Sequence, residues 1–151
     1  YFFSISEIDT HFENFFEILS FNIQLIIIYF WVLKNPSVLG NGHIFFAGLI
    51  NDVILGFPLG LSSLTYLVIS LVATYVKNMS VHTTLTSDWF TFLVGLIISN
   101  SVFLLLISNF SEINISFTEI SYNTFFTLLF FPFFWFLFSY FNSIMSTQKN
   151  V

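Results

Sequence analysis

The chain has no cysteine and no arginine, and its only basic residues are Lys34, Lys77 and Lys149. Without thiols there are no disulfides and no thiolate metal sites. Three scattered lysines exclude a nucleic-acid surface, which needs clustered cations. Charge of either sign is scarce, at 7% of 151 residues, where a soluble domain carries about 25%. Most of the surface must therefore face something other than water. What fills the chain instead is apolar: 56% of residues are hydrophobic and the mean hydropathy is +0.90. This composition implies an integral membrane protein built as one helical bundle, with no room for a soluble domain. The 24 phenylalanines fit an AT-rich coding bias better than an aromatic ligand site.

A membrane-spanning helix needs about 20 mostly apolar residues. Five segments qualify, at about 18–33, 38–55, 59–76, 89–107 and 120–141. The first ends on Tyr29-Phe30-Trp31, an aromatic finish suited to the headgroup region, and Lys34-Asn35-Pro36 stops it. The second is marginal, because Gly40-Asn41-Gly42-His43 weakens its start. Residues 1–17 carry Glu7, Asp9, Glu13 and Glu17 and are neither a signal peptide nor a span. Residues 142–151 read as a polar tail. Five spans place all three lysines on one side, with Asp88 the one acid beside them. Glu112, Glu119 and the acidic N-terminal segment fall on the other. The positive-inside rule makes the lysine side cytoplasmic.

The segment from Gly48 to Gly60 organises the rest. An apolar run carries Asn51 and Asp52 into its interior, breaks at Gly56-Phe57-Pro58-Leu59-Gly60, and restarts at once. Such a short Gly/Pro break predicts a tight helical hairpin. At 100° per residue, Ala47, Gly48, Asn51 and Asp52, with Ile44 and Leu55, share the half expected to face other helices. Phe45, Phe46, Leu49, Ile50 and Val53 cover the half expected to face lipid. In the next span Ser63, Tyr66, Ser70 and Thr74 form a hydroxyl stripe. Ser63 and Tyr66 lie at the depth of Asp52, which predicts hydroxyl-to-carboxylate hydrogen bonds. An acid inside a span is structural glue or a functional group. For Asp52 the structural role leads, with partner or ligand binding as the alternative. A proton relay is disfavoured because no second acid falls in any of the five segments. Asn100, mid-span, is expected to bond a neighbouring helix or line a cavity. Pro132 is expected to free a backbone carbonyl and kink the last helix. His43 reads as a headgroup-level or capping residue, and no His/Asp/Glu spacing suggests a metal site.

Gly48-Leu49-x-x-Asp52-x-x-x-Gly56-x-Pro58-Leu59-Gly60 resembles the signature of the bacterial rod-shape-determining MreD family. The likeness extends over roughly residues 20 to 141, and only this central motif is specific. The resemblance implies one further span before residue 1, and a fold like the six-helix substrate-binding components of energy-coupling vitamin transporters. It implies a non-enzymatic, cofactor-free component of the machinery that lays down lateral-wall peptidoglycan, in the bacterial inner membrane. The implied partners are MreC, MreB, RodA and its transpeptidase. The candidate binding or structural residues are Gly48, Asn51, Asp52, Gly56, Pro58, Leu59, Gly60, Ser63 and Tyr66. Two other classes stay open: a small-molecule-binding subunit of an uptake transporter, which calls for a closed polar pocket, and a mitochondrial respiratory-chain subunit, which only the Phe-rich, Arg-free composition favours.

Overall fold

A computed structural model describes residues 22–35, 39–79, 84–109 and 117–148. The described residues form five α-helices and no strand: α1 (Ile23–Lys34), α2 (Asn41–Leu55), α3 (Leu61–Met79), α4 (Leu85–Ile107) and α5 (Phe117–Gln148). Each lies on one of the expected apolar segments. The acidic segment expected at residues 1–17 lies outside the described residues. The ends differ where capping decides them. Thr84 accepts the Ser87 N–H and caps α4, so that helix begins four residues before Trp89 and takes in Asp88. The last helix runs on to Gln148, through most of the stretch expected to be a polar tail.

Among the described residues, two helices, Leu85–Ile107 and Thr118–Ile144 within α5, are long and apolar enough to cross a membrane, with mean hydropathies of 2.4 and 1.7. At 12 residues, α1 measures roughly 18 Å, and α2 is also short, at 15 residues. Near the centre of the bundle, α3 packs against α1, α2 and α4, while α5 packs on α1 and α4. Polar contacts fix the directions. At one end, Gln24 bonds Asn51, Asn51 bonds Ser62, and the Asn22 N–H reaches Thr127. At the other, Lys34 meets Asp88 and Asn35 bonds Asn142. Consecutive helices therefore alternate in direction, and α1 runs parallel to α5.

The core is apolar and aromatic. Tyr29 of α1, Phe92 of α4 and Phe131 of α5 are fully buried together, with Phe92 stacked on Phe131 at 4.3 Å between ring centres. Ile26, Ile44, Tyr66, Ile69, Ala73 and Leu96 belong to the same buried cluster. The outer faces are apolar too: Phe46, Ile50 and Val53 on α2, Ile97 on α4, and Phe133, Phe136 and Phe141 on α5 are all exposed. Water would leave such a surface prone to aggregate; a bilayer would solvate it.

Candidate functional site: the hairpin motif and the opposite clasp

The α2–α3 hairpin is set by three devices within thirteen residues. Gly48 brings the helices together: a Cβ there would lie 2.3 Å from the Ser63 Cα, so nothing larger than glycine fits without moving backbone. Gly56 then ends α2 in the left-handed region, at φ 69°. The Phe57 N–H returns to the Asp52 carbonyl at 2.9 Å, the pattern of a Schellman helix end. Gly60, at φ 101°, turns the chain into α3, where Leu61 N–H bonds the Pro58 carbonyl.

Asp52 holds the turn shut. Its carboxylate is fully buried and accepts the backbone N–H groups of Gly60 and Ser62, each at 2.8 Å. These are donors that a helix start leaves without partners, and a negative charge there also suits the helix dipole. The acid of one helix thus caps the next.

This corrects the expectation that Asp52 bonds the hydroxyls of Ser63 and Tyr66. Backbone donors at the start of α3 lie at the depth of the carboxylate and take both its oxygens. The Ser63 hydroxyl donates instead to the Phe45 carbonyl at 3.0 Å, and the buried Tyr66 hydroxyl has no hydrogen-bond partner. Asn51 donates to the Ser62 hydroxyl at 3.0 Å. Ile44, Gly48 and Asp52 are buried as expected, whereas Ala47 and Leu55 are exposed. Leu59 projects outward from the turn and is among the most exposed large apolar side chains. The hydroxyl stripe is buried at Ser63, Tyr66 and Ser70, while Thr74 is exposed and bonds the Ser70 carbonyl. Asn100 donates to Thr124 of α5 at 2.6 Å. His43 is exposed in the first turn of α2.

A second polar centre, at the opposite end, was not anticipated. Asp88 is a fully buried acid inside α4, which overturns both its placement outside the apolar segments and the expectation of no second acid. One of its oxygens pairs with Lys34 Nζ at 3.3 Å and accepts the Trp135 indole N–H at 3.0 Å. The Lys34 ammonium also lies 5.6 Å from the Trp135 ring centre, in cation–π range. Asp88 Oδ1 is buried without a hydrogen-bond partner. One turn along, Tyr29 and Thr91 share a hydrogen bond. Pro132 contributes here as well. It has no N–H to offer the carbonyl four residues back, and that carbonyl, of Leu128, accepts the Trp89 indole N–H at 3.0 Å instead. The clasp joins α1, α4 and α5, the three helices outside the hairpin. Thr84 placed before Ser87-Asp88 is the capping signal that could have found it.

No His/Cys/Asp/Glu group able to hold a metal occurs among the described residues. No family model, no curated protein and no solved structure matches the chain.

Proposed function

We propose that this protein is a non-enzymatic membrane component of the bacterial cell-elongation machinery, acting as a rod-shape scaffold of the MreD type. In this reading all five helices cross the inner membrane, the lysine end lies in the cytoplasm, and the hairpin turn faces the periplasm. The carrying observation is how the motif divides. Gly48, Asp52, Gly56 and Gly60 are consumed by close approach, capping and backbone conformation. Leu59 is left exposed at the turn, where the fold does not need it. A motif that builds a rigid turn and presents one apolar side chain suits a docking element better than a reaction centre. Partners of the MreC, MreB, RodA and transpeptidase classes, and the six-helix transporter-like fold, enter on the motif resemblance alone.

The test is depletion of the protein in its own cells, with a photo-cross-linking residue at position 59 in the complementing copy. Rounding of the cells and cross-linking of Leu59 to an MreC-type protein are expected. Cells that stay rod-shaped on depletion would overturn the proposal. The orientation is checked separately in this cysteine-free chain: Met79→Cys and Asn109→Cys are expected to label from opposite sides of the membrane.

A further inference from the structure

At the hairpin end the helices separate and leave a half-open cavity of about 440 Å³, within the range of about 300–1,000 Å³ typical of small-ligand sites. All five helices reach it, through Gln24, Asn51, Ser62, Tyr66, Asn100 and Glu119. Much of this lining is already fixed: Gln24 bonds Asn51, Asn51 bonds Ser62, and Asn100 bonds Thr124. The exception is Tyr66. The residue is 3% exposed, it lines the cavity, and its hydroxyl has no hydrogen-bond partner. A buried hydroxyl left unpaired costs free energy that a bound acceptor or donor recovers. Aromatic surface is present beside it, with Phe57 and Phe103 edge to face at 5.8 Å.

The lining chemistry narrows the occupant. It contains amides, hydroxyls and one carboxylate, and no lysine or arginine. Phosphates and carboxylates would meet no counter-charge. A group with hydroxyl or amide edges and an apolar face matches both the hydrogen-bonding side chains and the aromatic wall. We infer that this cavity binds a neutral, sugar-like group, with the Tyr66 hydroxyl as one of its direct contacts. The group could be carried by a glycolipid headgroup or by a free saccharide. The inference does not depend on the cell-elongation role.

The full-length protein is placed in nanodiscs of phosphatidylethanolamine and phosphatidylglycerol and offered three probes. These are a glucosyl-diacylglycerol built into the disc, free N-acetylglucosamine, and an alkylamine of similar size. Retention is read by native mass spectrometry for the lipid, and by saturation-transfer NMR for the soluble probes. Binding of the glycolipid alone assigns the site to a headgroup, and binding of the free sugar assigns it to a soluble saccharide. Tyr66→Phe is expected to leave the thermal midpoint unchanged, because its hydroxyl has no partner in the fold. The same change is expected to weaken sugar binding about tenfold, the equivalent of one hydrogen bond. Failure of both sugar probes, binding of the amine in their place, or unaltered sugar binding by Tyr66→Phe would each overturn the inference. So would a large drop in the midpoint, which would assign the hydroxyl to the fold.

Discussion

Asp52 and Asp88 are both fully buried carboxylates, at opposite ends of the same bundle, and they are satisfied in different ways. Asp52 gives one oxygen to each of two backbone N–H groups, eight and ten residues downstream. Asp88 gives one oxygen to two side chains, Lys34 and Trp135, brought from α1 and α5, and its other oxygen has no hydrogen-bond partner. The first is a local device that shapes one turn. The second is a long-range device that closes three helices on each other, one helical turn from the aromatic cluster of Tyr29, Phe92 and Phe131. A local cap can fail and leave the bundle assembled; a buried ion pair that loses one member leaves a naked charge inside it.

The sharpest way to break this contrast is Lys34→Met. It strips the cation from a buried carboxylate, and a loss of about 3 kcal/mol is expected by chemical denaturation in detergent. Adding Asp88→Leu is expected to restore most of that loss, since an apolar pair often replaces a buried ion pair without penalty. A double variant no more stable than Lys34→Met would show that the two charges are not coupled. Next in size is Gly48→Ala. Its methyl group must displace the backbone of Ser63, for about 2 kcal/mol, and the same denaturation measures it.

Asp52→Asn follows, at about 1.5 kcal/mol. An amide offers one acceptor where the fold needs two, and turns its NH2 toward a backbone donor. Asparagine is therefore not the harmless substitute that a bond to two hydroxyls would have allowed. The expected loss stays below that of Lys34→Met because only one neutral N–H is orphaned. Equal losses for the two would erase the distinction between cap and clasp. The smallest effect is Gly56→Ala, where no atom lies in the way and only the left-handed backbone, at about 1 kcal/mol, opposes the change.

Local patterns carried the legible part of this fold. Five apolar segments and the Gly/Pro break between α2 and α3 were readable because each depends on neighbours a few residues apart. The burial of Ile44, Gly48 and Asp52 followed from helical periodicity. What was hidden required distant residues. Asp88 resembles a loop acid until Thr84 is seen to cap α4 and Lys34 arrives from α1. Pro132 announced a freed carbonyl, but nothing in the sequence named Trp89 as its donor. The choice of backbone N–H over hydroxyl at Asp52 turned on where α3 begins, at Leu61, a matter of one or two residues. The cavity, lined by all five helices, has no signature in any single stretch.

The central claim is that the motif from Gly48 to Gly60 acts by building and holding a turn. Its most direct test measures cell shape and membrane abundance together, in a depletion strain carrying Asp52→Asn, Asp52→Ala or Gly60→Val. Rod shape is expected to fall in proportion to the amount of folded protein across all three. An Asp52→Asn protein present at wild-type abundance in cells that have become round would contradict the claim, and would make the carboxylate itself a contact for a partner.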